Sequence, residues 1–303
     1  MVNMGNMGNM GNMGNMGNMG NMGSVGSFRS PDRDGYPFIS ENLAPDSKVT
    51  KARLSLKLDE WPPQFWAPEW RAWLSLIEFG GKYKAGDIKL KSWQDTNVEQ
   101  ELGELANLAE DERSDALTEI IAQDGLYTNF GSEFVTLLSI SSGSHPNTYA
   151  LLHVGGLVGV YVAMQLKQSP APNVNPRPRP THYMPALKPP IPVPGHPSYP
   201  SGHALQAMLM ALCVREALEE STNIGAMEKL LEILAKRIAR NREIAGLHFR
   251  SDTEAGIFAA GKAMEILKDP APSQTGAQAS ENVPRSEFRA LVGRAKEEWK
   301  YLK

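Results

Sequence analysis

Apolar residues recur at helical spacing along most of the chain, and alternation of period two is almost absent. Val98, Leu102, Leu105 and Leu108 predict one helix, opened by a capping box of Thr96 and Glu99. Leu117, Ile120 and Ile121 predict a second, and Phe134–Ile140 a short third. Pro146 opens a long apolar helix to about Lys167, where Gly155, Gly156 and Gly159 permit close packing. The helix after His203 is apolar almost all round, through Leu205, Met208, Leu209, Leu212 and Cys213, which marks it as central. Met227, Leu230, Leu231, Leu234 and Ile238 stripe the next helix, and Gly246 interrupts the helical run. Ser251 and Glu254 form a second capping box, opening a helix to about Lys268, and Ser286–Leu302 is a charged terminal helix. Trp61, Phe65, Trp66, Trp70 and Trp73 crowd into what reads as a packed aromatic unit in the core. Only Arg53–Leu58 alternates like a short strand or extended arm. The predicted fold class is all-α, a helical bundle.

The segments between divide the chain. Residues 1–23 are a Met-Gly-Asn tandem holding eight of the fourteen methionines. It has nothing with which to build a core, so disorder is expected, and without proline it is not collagen-like. The expected organisation is a tail and arm over 1–60, a helical domain over 61–268, and a linker with terminal helix over 269–303. Residues 168–200 hold many prolines and form neither a regular helix nor a central strand. A loop that long in a compact domain is expected to carry function.

Composition narrows the classes. Hydrophobic residues are 41%, charged residues 21% and the net charge is −3, so nothing draws the chain to nucleic acid. The lone Cys213 excludes a disulfide framework and fits a cytosolic compartment. No basic-then-apolar leader opens the chain. Ala150–Met164 and Ala204–Val214 each fall short of the ~20 residues of a membrane span. The expectation is a cytoplasmic or otherwise soluble protein with no membrane span.

Three clusters carry candidate chemistry: Lys167 with Arg177-Pro178-Arg179-Pro180; Pro200-Ser201-Gly202-His203; and Arg242, His248 and Asp252. Singly, each has an ordinary explanation: an exposed Arg-Pro loop, a histidine bonded to nearby backbone, a solvated helix end. Together they suit a tetrahedral oxyanion. Arginines grip such ions bidentately. A helix start at Ser201 offers N–H groups and positive potential. Two histidines can divide the roles of nucleophile and acid, and a carboxylate can hold one imidazole tautomer.

On these residues the chain resembles the phosphatidic acid phosphatase type 2 (PAP2) / vanadium haloperoxidase superfamily, in its soluble haloperoxidase-like branch. That family carries Lys-x6-Arg-Pro, then Pro-Ser-Gly-His, then Arg-x5-His-x3-Asp. The second motif is complete at Pro200–His203 and the third at Arg242, His248 and Asp252. The first departs: Lys167 stands twelve residues before Arg179, with Ser169–Asn173 as an apparent insertion that is expected to bulge out. Either Arg177 or Arg179 is the matching arginine, and motif position favours Arg179.

The resemblance implies that His248 is the nucleophile of a phosphohistidine or the axial ligand of vanadate, His203 the acid–base, and Asp252 the group that orients His248. It implies that Lys167, Arg179, Arg242, Ser201 and Gly202 hold the oxyanion. His196, five residues before Ser201, lies where the haloperoxidases flank their halide site, and Arg177 is a second candidate on the halide or substrate side. His145, His153 and His182 are read as structural, and no His/Cys spacing suggests zinc. Three functions follow in order: an acid-phosphatase-like hydrolase of phosphate monoesters needing no cofactor; a vanadate-dependent haloperoxidase using hydrogen peroxide and bromide or iodide; and an inactive oxyanion-binding protein. Homo-oligomers are common among such enzymes.

Overall fold

A computed structural model describes residues 66–84, 86–168, 176–218, 224–269 and 286–300. The Met-Gly-Asn tandem, the arm at 53–58, Trp61, Phe65 and Ser169–Asn173 lie outside these residues. The protein is all-helical over the described residues, with ten α-helices. They are α1 (Pro68–Lys82), α2 (Val98–Asp111), α3 (Arg113–Ala122), α4 (Tyr127–Leu138), α5 (Pro146–Gln168), the single turn α6 (Pro180–Tyr183), α7 (Gly202–Leu218), α8 (Ile224–Ile244), α9 (Arg250–Lys268) and α10 (Glu287–Trp299).

α7 is the axis of the bundle: Ala204–Ala211 is buried on every side. Its largest partner is α5, and glycine sets how close they come. A Cβ on Gly155 would lie 2.5 Å from the Met210 Cα. α8, α9 and α10 also pack on α7. α10 is tied to the start of α5 by a carboxylate. Glu298 accepts hydrogen bonds from the Asn147 and Thr148 backbone N–H groups at 2.7 and 2.8 Å, neutralising two orphan donors of the helix start. Trp299 donates to the Thr148 hydroxyl at 2.8 Å.

Three expectations change. The cap of α2 is Asn97, whose side chain accepts from the Gln100 N–H, while the Thr96 hydroxyl donates to the Trp93 carbonyl at 2.7 Å. At α9 the capping carboxylate is Asp252, which accepts from the Phe249 N–H; Glu254 pairs with Arg250 on the surface. Trp70 and Trp73 are 45% and 40% exposed, because α1 buries Ala72, Ser75 and Phe79 on its other side.

The expectation of no stretch long enough for a membrane span is also corrected. His153, the glycines and Lys167 do not interrupt α5. It runs unbroken for 23 residues, long and apolar enough by length and composition to cross a bilayer, with most of its apolar window buried in protein.

Candidate functional site

The third motif is built by a helix stop. α8 ends in a Schellman turn: the Leu247 N–H bonds the Arg242 carbonyl at 3.0 Å and the Gly246 N–H bonds Glu243 at 2.7 Å. Gly246 supplies the required positive φ of 76°. The chain therefore doubles back after Arg242, leaves His248 in the connection, and starts α9 at Arg250. The five-residue spacing between Arg242 and His248 is the signature of that turn.

The second motif meets the third at the backbone. The Ser201 N–H bonds the Asp252 carbonyl at 2.9 Å, and the Ser201 hydroxyl accepts from the Ala204 N–H at 3.4 Å as the cap of α7. An accepting hydroxyl keeps its proton to donate. Gly256 on α9 makes the crossing possible: a Cβ there would sit 2.5 Å from the Ser201 carbonyl oxygen.

Asp252 is fully buried and organises its surroundings. One carboxylate oxygen accepts from the Ser198 hydroxyl (2.5 Å), the Phe249 N–H (3.0 Å) and the His248 Nδ1 (3.2 Å); the other accepts from Arg177 (2.9 Å). Burial pushes this carboxyl upward, but His248, Arg177 and Ser198 outweigh it and hold it at about 2. Arg179 donates to the His248 Nε2 at 3.0 Å. A guanidinium only donates, so Nε2 carries the lone pair and Nδ1 the proton. Burial first, then Arg179, keeps His248 well below the usual histidine range and hence neutral.

Around His248 cations gather. Arg179 also donates to the Leu247 carbonyl, the His196 carbonyl and the His196 Nδ1, the last at 3.0 Å. Lys167 is buried at the end of α5 and donates to the carbonyls of Pro197 and Ser198 at 2.6 and 3.0 Å. Burial and Arg179 push Lys167 down to about 7. Arg242 is 1% exposed and donates through one Nη to the Ile120 carbonyl at 2.8 Å; among the described residues its buried Nε and other Nη have no acceptor. Asp124 and Glu133 favour its charge from nearby, yet neither accepts from it. His203, in the first turn of α7, donates Nε2–H to the Gln123 carbonyl at 3.0 Å, which leaves Nδ1 bare. Burial, then Arg242, lowers it to about 3.

Of the residues singled out in the sequence, Lys167, Arg179, His196, Ser201, Gly202, His203, Arg242, His248 and Asp252 fall within this one neighbourhood. Arg177 bonds to the Asp252 oxygen that His248 does not use and to Glu101. Ser198, Glu101 and Gln123 bear on the site without any sequence signal. They are single polar residues whose partners lie 54, 76 and 80 positions away.

Among known proteins, no family model matches the chain and no curated protein matches it. Among solved structures it is similar to the "first transmembrane PAP2 type phosphatidylglycerolphosphate phosphatase from Bacillus subtilis". The TM-score is 0.30 at 13% identity, over 67% of this chain and 94% of that one. A likeness of that size carries no weight for fold or activity, and the chemistry rests on the geometry above.

Proposed function

We propose that the protein is a PAP2-type hydrolase of phosphate monoesters that works through a phosphohistidine on His248. The observation that carries this reading is the pair of buried Arg242 donors, Nε and Nη, without an acceptor among the described residues. Buried donors left unmatched are costly. Arg179 and Lys167 act on His248, and Arg242 and Arg179 on His203; a phosphoryl group supplies acceptors for the unmatched Arg242 donors.

The steps follow from the tautomers. His248 presents its Nε2 lone pair and attacks phosphorus in line, with Asp252 holding the Nδ1 proton and balancing the growing charge. Arg179 then passes its donor from Nε2 to a phosphoryl oxygen. Arg242, Lys167, the Ser201 hydroxyl and the N-terminal N–H groups of α7 stabilise the equatorial oxygens. His203 protonates the leaving oxygen from Nδ1. The bound dianion offsets Arg242 and raises this imidazole from its low resting value. The same group then takes a proton from the water that cleaves the phosphohistidine.

These donors suit vanadate as well as phosphate, so the peroxidase reading shares the pocket, and no further observation favours it. An assay separates the two. We expect p-nitrophenyl phosphate hydrolysis without added cofactor, inhibition by orthovanadate, and loss of activity in His248→Ala and His203→Ala. Bromide oxidation with vanadate and peroxide in the absence of any hydrolysis would overturn this reading.

A further inference from the structure

Arg177 and Glu101 lie behind the histidine, and the steps above make no use of them. Arg177 donates to Asp252 Oδ1 at 2.9 Å and Ser251 Oγ at 2.6 Å through one Nη, and to Glu101 Oε2 at 2.7 Å through the other. Glu101 closes the ring by accepting the Ser251 N–H at 2.8 Å. The guanidinium lies over the Phe249 ring, 3.7 Å from its centroid, with the Trp93 ring 5.3 Å away. Its plane is thus fixed by stacking as well as by hydrogen bonds. A chain of four charged or polar groups runs from α2 to the reacting nitrogen: Glu101, Arg177, Asp252, His248.

We propose that Arg177 and Glu101 are positioning residues that set the basicity of Asp252 and, through it, the nucleophilicity of His248. This rests on His248 being the nucleophile. A lone cation on Asp252 would draw charge from the carboxylate and weaken its hold on the His248 Nδ1 proton. Glu101 returns that charge, so Arg177 fixes the carboxylate in space without draining it. The charged groups that act on His248 directly are Asp252 from α9, Arg179 from the proline-rich segment and Lys167 from α5, and the Ser198 hydroxyl stands 3.4 Å from its Nδ1. The Arg177–Glu101 pair adjusts only the first. A purely structural clamp would make both residues matter in the same sense. An electrostatic one makes them act in opposite senses: removing Arg177 leaves Asp252 more basic, and removing the Glu101 charge leaves it less basic.

The test reads the Nδ1 proton of His248 by NMR on the full chain without ligand, assigned by its loss in His248→Gln. In Arg177→Met we expect this resonance to move downfield and the acid limb of the pH–rate profile to move to higher pH. In Glu101→Gln we expect both to move the other way. In Glu101→Gln kcat for p-nitrophenyl phosphate should fall about 10–100-fold, the size seen for orienting partners of metal-ligating histidines, and in Arg177→Met by less, because the loosened carboxylate is offset by a more basic imidazole. KM and inhibition by orthophosphate should stay within about threefold, because no anion-binding group is changed. Arg177→Lys should keep the resonance nearer the wild-type position than Arg177→Met does. Shifts in the same direction in Glu101→Gln and Arg177→Met, or none in Glu101→Gln with helicity intact, would overturn the proposal. Opposite shifts in a protein that hydrolyses no phosphoester would instead leave the relay standing and remove the phosphatase reading.

Discussion

At the scale of single residues, the site depends on which nitrogen carries a proton. Asp252 and Arg179 assign opposite ends of His248, and the Gln123 carbonyl assigns His203. Lys167 gives a pH test of the anion-binding reading. It is held near 7, charged below that value and neutral above it. The loss of orthophosphate affinity in Lys167→Met should therefore be large at pH 6 and shrink toward none at pH 9. Comparing the two proteins at each pH cancels the ionisation of phosphate itself. A pH-independent ratio of inhibition constants would place Lys167 outside the anion's reach. The motif residues were legible in the sequence because each sits at a helix terminus, where spacing encodes geometry. Ser198, Glu101 and Gln123 were not, because a polar residue that meets its partner across 50 or more positions leaves no periodic trace. The two arginines of Arg177-Pro178-Arg179 could be told apart only once folded, since residues two apart in an extended segment share a face and only their partners separate them: Asp252 and Glu101 for Arg177, His248 for Arg179.

At the scale of elements, glycine and carboxylate caps hold the frame. The long apolar helices could be read directly from their periodicity. The ends could not where two caps competed, as at Thr96 and Asn97. Nor could the outward face of Trp70 and Trp73, because burial depends on which side of α1 finds a partner. Gly256→Ala should press a methyl group against the Ser201 carbonyl and displace the start of α7. We expect about 1–3 kcal/mol of destabilisation by denaturant unfolding, together with weaker orthophosphate inhibition. A loss of stability with unchanged inhibition would show that the crossing does not set the anion site. The tie between α10 and α5 is tested by Glu298→Ala, which orphans the Asn147 and Thr148 N–H groups. The expected cost is about 1–3 kcal/mol in the same experiment, and a cost below about 0.5 kcal/mol would mean that water replaces the carboxylate freely.

For the whole molecule, the all-helical bundle brings one cation each from α5, the proline-rich segment and α8 to the start of α7, where two neutral histidines wait. A ligand that binds only the folded state stabilises it, by about 2.7 kcal/mol at a hundredfold excess over Kd. Orthovanadate or orthophosphate should therefore raise the melting temperature of the wild type and not that of Arg242→Met. The central claim is a covalent phosphohistidine on His248, and rapid acid-free quenching with a ³²P-labelled phosphomonoester tests it most directly. With p-nitrophenyl phosphate as that ester, whose phenolate leaves without a proton, an acid-labile, base-stable label is expected on His248 in the wild type, more of it in His203→Ala, where the water lacks its base, and none in His248→Ala. Label that persists in His248→Ala, or turnover without any label in either histidine-retaining protein, would contradict it.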